Sequence, residues 1–399
     1  MVSSTLGQRL HSSLLRFTTP ALFVLLVCGA LTASAWTAPA LGAPEEGTVS
    51  KTRAAIALRD AAQRAYQEGT LLMTDKDYSS AIEKFLEAVE FDPDFAEAFT
   101  SLGFAYIELR NYGDAVNAFK KALDRTPDVP EKLAAMHYDL GYAYGLHGSL
   151  DQAIEEYKKM VELLPTNADA FSALAFAYGQ KGLVAEAAMA YQKALELKPD
   201  DKETLAAFGK LCRDSDLLAE AKSVYERLYA MDNKDMNAIR SLARLYLKLE
   251  AYPKAIEMHK KVLAMEPSSL DERLNLAMAF EKNGQVDSAI AHYEKVMATQ
   301  PDNMQSLCSL GFLYSDAKRA AEAIEIAKKG LAIKQSDPCL LCAWGRALEK
   351  MTDYEGAKAK FEQVLADPQW GAYAKKQVER QDKLIKRREA LKEKEELGY

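Results

Sequence analysis

A small residue recurs along this chain at Gly69, Gly103, Gly141, Ala175, Gly209, Ala243, Ala277, Gly311 and Gly345, with one exception 34 residues apart. Twelve residues after each stands an alanine, from Ala81 to Ala357. Four residues later comes a mostly aromatic position: Phe85, Phe119, Tyr157, Tyr191, Tyr225, His259, Tyr293, Ala327 and Phe361. Most copies end near a proline, as at Pro93, Pro127, Pro165, Pro199, Pro267 and Pro301. A chain of 399 residues is long enough for two or three ordinary domains. An unbroken short period predicts instead one elongated stack of identical supersecondary units, each contacting only its neighbours.

The second copy, residues 96–129, shows what one unit is. Phe99, Leu102, Gly103 and Tyr106 fall at i, i+3, i+4 and i+7, one stripe of a helix. Asn111 and Gly113 interrupt the pattern, and Ala115, Phe119, Ala122 and Leu123 begin a second helix with the same spacing. Gly103 and Ala115 are small so that two antiparallel helices can approach, and Phe119 fills the space beside them. Pro127 stops the second helix, and the polar residue after each such proline can cap the next one. Asp94, Asp128, Asn167, Asp201, Asn303 and Asp337 fit that role. Four extra residues, Pro130 to Leu133, are expected to lengthen the loop before the third unit. Pro253 opens a helix, where a missing amide hydrogen is tolerated. The eighth unit, with Ala327, Gly330 and Gln335, is expected to pack more loosely.

These residues closely resemble the signature of the tetratricopeptide repeat over more than three quarters of the chain. The resemblance implies an all-α, right-handed superhelical solenoid of nine helix-turn-helix units, beginning at residues 62, 96, 134, 168, 202, 236, 270, 304 and 338. Together they span 51–371, with a charged capping helix over 372–399. In that family the first helices line a concave groove through positions two, five, nine, twelve and thirteen of each unit. Carried across, the register places Tyr66, Phe104, Tyr138, Tyr142 and Phe176 in an aromatic half. Lys210, Arg213, Arg240, Arg244 and Lys248 form a basic middle, with Glu203 and Asp214 nearby, and Cys308, Phe312, Cys342 and Arg346 follow. The implied partner is a protein or peptide with apolar and acidic groups. The family's clamp for a terminal carboxylate is incomplete here: Arg240, Arg244 and Asn275 approach it, but Gln305 and Ser309 replace its last basic pair.

The two ends differ from the repeats. Arg9 and Arg16 precede an apolar run from Ala21 to Ala35 that ends Ala33-Ser34-Ala35. This reads as an export signal peptide over 1–35, giving a periplasmic or secreted protein. The uncharged stretch 17–44 is also long enough for a single-pass membrane tether, and a Ser/Thr-rich, acid-free start also suits an organellar presequence. Residues 36–50 are expected to be a flexible linker. At the other end Trp370, Ala374, Val378, Leu384, Ile385 and Leu391 are candidates to cover the last unit, as a terminal cap must.

Composition and motifs set the function class. Net charge is −7, and −9 without residues 1–35, which argues against a nucleic-acid partner. The five histidines are scattered, with His259 at an aromatic packing position, and the sequence has no HExxH helix, phosphate loop or nucleophile elbow. No catalytic set, metal site or cofactor is expected. Cys339 and Cys342 form a C-x-x-C at a helix start, where thiolates are stabilised. A thiol redox protein using that pair is therefore one alternative, and self-association through the carboxyl-terminal helix another. The main expectation is a non-catalytic scaffold, exported or tethered, for envelope assembly, secretion or export machinery.

Overall fold

The computed structural model describes residues 46–396, and side-chain surroundings from 53 to 393. The described residues form nineteen helices and no strand. The first repeat pairs α1 (Glu46–Thr74) with α2 (Tyr78–Phe91), and the second α3 (Ala96–Glu108) with α4 (Tyr112–Leu123). Then follow α5 (Pro130–His147) and α6 (Leu150–Leu163), and α7 (Ala168–Lys181) and α8 (Val184–Leu197). The fifth repeat holds α9 (Lys202–Asp214) and α10 (Leu218–Met231), the sixth α11 (Met236–Lys248) and α12 (Tyr252–Met265). The seventh and eighth are α13 (Leu270–Lys282) with α14 (Val286–Thr299), and α15 (Met304–Asp316) with α16 (Ala320–Ile333). Last come α17 (Pro338–Lys350), α18 (Tyr354–Glu362) and the terminal α19 (Gly371–Glu396).

The chain divides into two compact units, one ending at Leu211 and the other beginning at Cys212, inside α9. Within each unit, a repeat's second helix packs on its own first helix and on the first helix of the next repeat. A helix inside either unit therefore buries two faces, which no isolated pair can do.

The recurring small residue explains the close pairing. A methyl group added to Gly103 would stand 2.7 Å from the Phe119 ring, and Gly345 meets Phe361 in the same way at 2.9 Å. Phe119 and Phe361 are fully buried, so the rings of the second helices fill the hollows left by the first-helix glycines.

A second periodic feature was not evident in the sequence. One residue between the two helices of every repeat has a positive φ: Lys76, Arg110, Gly148, Gly182, Asp216, Glu250, Gly284, Lys318 and Thr352. Only three of the nine are glycine, so six turns hold an ordinary side chain in the left-handed region, at a cost the packed helices must offset.

Asn167, Asp201, Asn303 and Asp337 cap the helices that follow them, accepting from backbone amides at 2.8–3.2 Å. Asp94 and Asp128 do not, because α3 and α5 start after Phe95 and Val129. Asp77, Asp235, Ser269 and Asp353 are caps that the proline rule misses.

Three expectations need correction. Pro130 to Leu133 form no longer loop; they add a turn to the start of α5, where proline is acceptable. Helix α1 begins at Glu46, so residues 46–50 of the expected linker are helical. The eighth repeat is not loosely packed: Ala327 and Gly330 are buried, and Leu340 of α17 packs into the space beside Gly330. The expected signal peptide and the membrane tether over 17–44 lie outside the described residues. No described helix is long and apolar enough to cross a membrane.

Candidate functional site

In the first compact unit, the predicted aromatic positions separate into two kinds. Tyr138 is a core residue, 8% exposed and 5.9 Å from the Tyr157 ring, so it is not part of any open face. Tyr66 is half-buried between the rings of Phe85 and Phe95, at 5.8 and 5.0 Å. Phe104, Tyr142 and Phe176 share position nine of consecutive repeats. Phe104 is half-buried edge-on to Phe119, Tyr142 is half-buried, and Phe176 is 39% exposed. Lys210 continues this register as an exposed cation. The outcome is a row of three rings at one register position, of which Phe176 in α7 is exposed and the other two half-buried.

The same unit holds a buried acid among its core rings. Asp139 in α5 is 6% exposed, and burial pushes its carboxyl up to about 8. Nearby, Glu156 accepts from His137 at 2.6 Å and from Lys159 at 2.9 Å. Burial would raise the Glu156 carboxyl, but these two donors outweigh it and hold it below its usual range.

In the second unit the predicted basic middle is largely neutralised. Arg240 donates from Nε to Glu272 at 3.1 Å and from its terminal nitrogen to Glu266 at 2.6 Å. Arg244 lies 3.7 Å from Glu272, Arg213 pairs with Asp214 at 2.9 Å, and Lys248 pairs with Asp216. Arg244 keeps the most freedom, being 59% exposed.

Glu272 holds this group together. It is buried in the first turn of α13, and its second oxygen accepts from His259 Nδ1 at 2.8 Å. Burial would raise its pKa; the His259 hydrogen bond and the charges of Arg244 and Arg240 outweigh that and lower it. His259 is fully buried, as its aromatic register position implied. Three helices thus converge on one carboxylate.

Repeats eight and nine are tied covalently. Cys308 of α15 is disulfide-bonded to Cys339 of α17, with a Cα–Cα distance of 5.9 Å. The C-x-x-C is therefore not a redox pair. Cys342 is a fully buried thiol packed among Leu341, Phe361 and Val364, pushed up to about 12 chiefly by burial. It lies in the core and not in the groove where the register placed it. Phe312, one turn after Cys308, is covered by Trp370, whose ring stacks on it at 5.8 Å and 10°. Arg346 lies 5.7 Å over the Phe312 ring and pairs with Asp316.

The terminal helix α19 caps the last repeat. Ala374 is buried, and Trp370, Tyr373 and Val378 pack with Phe361 and Val364. Gln381 and Arg380 reach Glu349 at 2.6 and 2.7 Å, and Lys358 reaches Asp382 at 2.7 Å. Leu391 is exposed and covers nothing. The first half of α19 spends its apolar residues on its own repeat, which leaves little for a self-pairing seam.

Family models described as TPR repeat or tetratricopeptide repeat match residues 69–109 and 141–182, 96–129, 168–201 and 246–311. The chain is a tetratricopeptide-repeat protein. It is similar to small glutamine-rich tetratricopeptide repeat-containing protein 2 of Mycosarcoma maydis, at 30% identity over 106 residues, 27% of this chain and 29% of that protein. Nuclear autoantigenic sperm protein of Homo sapiens is 33% identical over 92 residues, 22% of this chain and 12% of its own. The chain thus spans well under half the length of these relatives. Among solved structures, the C-terminal part of a TPR repeat-containing protein from Cytophaga hutchinsonii has a TM-score of 0.53 at 17% identity, covering 61% of this chain and 99% of its own. That likeness concerns the fold alone.

Tetratricopeptide-repeat proteins generally act as non-enzymatic protein–protein interaction scaffolds. In this one, the repeat register located the first-helix positions but not their partners. Glu272 was invisible because an acid at a helix start reads as an ordinary first-turn residue. The Cys308–Cys339 pair had a signal: positions five and two of successive repeats, brought together by first helices that pack side by side.

Proposed function

We propose that this tetratricopeptide-repeat protein is a non-catalytic scaffold that holds a polypeptide along its first-helix face and is exported or membrane-tethered through its amino-terminal segment. The observation that carries the binding face is the Phe104, Tyr142 and Phe176 row, ending in a phenylalanine left 39% exposed at a register position shared by three repeats. Exposed rings and arginines are the side chains that dominate interface energies. Lys210 adds a cation at the next register position of the same compact unit, so the preferred ligand carries apolar anchors with an acidic neighbour. Envelope assembly, secretion or export machinery would employ such a module.

A photo-reactive benzoyl-phenylalanine at position 176 tests the face, with position 189 on α8 as control because Met189 is 62% exposed. Polypeptide adducts at 176 and not at 189 are expected in native extract. Adducts at 189 alone would place the partner on the second helices and sink the assignment. Export rests on Arg9, Arg16 and the Ala21–Ala35 run. Sequencing the amino terminus of the cellular protein should read from Trp36, or else find the full chain in membranes. A full-length chain in the soluble cytoplasmic fraction would end that part of the proposal.

A further inference from the structure

The two ends of the Cys308–Cys339 bond are chemically unlike. Cys308 sits within α15 and is partly exposed, whereas Cys339 is 8% exposed in the first turn of α17. That turn is fully formed: Asp337 accepts from the Leu340 amide at 3.2 Å, and Pro338 follows it. The positive end of a helix dipole stabilises a thiolate, which makes a cysteine in the first turn the better leaving group. Lys334, 3.0 Å from Asp337, offsets the charge of that capping acid. Cys342, one turn on, is fully buried in the core and out of reach of an external thiol. The 5.9 Å Cα–Cα distance lies within the common range, so the bond can open and close without moving the helices far.

We propose that Cys308–Cys339 is a reversible thiol–disulfide exchange site on the first-helix face, attacked at Cys308 by a dithiol and opened with Cys339 as the leaving thiolate. In the first step the dithiol's thiolate bonds to Cys308 Sγ. The Cys308–Cys339 bond breaks, and its electron pair stays on Cys339 Sγ at the amide end of α17 until water supplies a proton. In the second step the dithiol's other thiolate attacks its own sulfur in the mixed disulfide. The dithiol leaves as an internal disulfide, and Cys308 takes the second proton. Two electrons and two protons have reached the protein, and an oxidised dithiol reverses the sequence. Opening removes the covalent tie one helical turn from the Phe312–Trp370 stack, so the redox state sets how firmly repeats eight and nine hold that part of the face.

Regiochemistry tests the proposal independently of any partner. The full chain is mapped by mass spectrometry without reduction, then treated in its native state with glutathione, quenched with acid at early times and alkylated. Fragmentation distinguishes Cys339 from Cys342. The expected result is a Cys308–Cys339 link before treatment, then glutathione predominantly on Cys308 and the alkyl group on Cys339. Cys342→Ser should leave this pattern unchanged, and oxidised dithiothreitol should restore the link after reduction. A Cys339–Cys342 link, glutathione predominantly on Cys339 or spread evenly, reaction only in denaturant, or loss of exchange in Cys342→Ser would each overturn it.

Discussion

His259 and Glu272 form a hydrogen bond of 2.8 Å with both side chains buried, and the same carboxylate accepts from Arg240 at 3.1 Å on its other oxygen. A packing residue of α12 is thereby coupled to the charged face of α11. Removing one member of such a set leaves the others buried without partners, which costs more than the set contributes intact.

Glu272→Ala should therefore lower unfolding stability by about 3–5 kcal/mol. Arg240→Ala should cost less, and Arg244→Ala, whose side chain is 59% exposed, least. Urea titrations of the three variants check the order. Stability matching wild type in Glu272→Ala would refute the role of the carboxylate.

Acid should weaken the same group. The Glu272 pKa in the fold lies below its ordinary 4.5, so its contribution is present above that value and lost as pH falls through the folded pKa. Glu272→Gln should flatten the acid limb of a plot of stability against pH. A limb as steep as wild type would assign it to other carboxylates.

Asp139 predicts the opposite slope. Its carboxyl is raised from 3.8 to about 8, so the fold holds a proton that the unfolded chain releases. Stability is fully present below the lower value and falls as pH rises between the two, by at most about 1.4 kcal/mol per pH unit from this group. Asp139→Asn should remove that decline and exceed wild type near pH 8. Parallel curves for the two proteins would show that Asp139 ionises freely.

Thr352 holds a β-branched side chain at φ 63°, the sterically worst of the six non-glycine turns. Thr352→Gly should raise stability by about 1 kcal/mol, because relief of that strain outweighs the entropy glycine adds to the unfolded chain. Gly182→Ala, at φ 80°, should lower stability by a similar amount. Thermal melts of both variants decide the pair.

Phe119 fills the hollow at Gly103. Phe119→Ala should cost about 3–5 kcal/mol by opening a cavity. Gly103→Leu forces side-chain atoms into the ring and should be at least as harmful. Gly103→Ala should be milder, since Ala175, Ala243 and Ala277 occupy the same register elsewhere. Equal effects for alanine and leucine would contradict close packing as the reason for glycine.

The 34-residue period by itself determined the helical stack. Small residues at Gly103 or Gly345 and rings at Phe119 or Phe361 leave two helices one way to approach, and each pair must then share its other face with a neighbour. Seven first helices begin at the residue the register names, from Ala96 to Pro338. Local chemistry was legible too: His259 in the core, Asn167 and Asp337 as caps. What the period could not encode is contact between side chains it treats as equivalent. Arg240 and Arg244 are identical residues one turn apart, yet Glu266 and Glu272 together hold the first, while the second reaches only Glu272 and stays half free. Cys339 has Cys342 three residues away and bonds instead to Cys308, because Cys342 packs into the core while the neighbouring first helix brings Cys308 within bonding range. Tyr138 and Phe176 share an aromatic character and a predicted face, and only the depth of neighbouring helices decides that one is core and the other exposed. A repeat specifies where each backbone lies; which side chains are spent on one another depends on three or more helices meeting at a point.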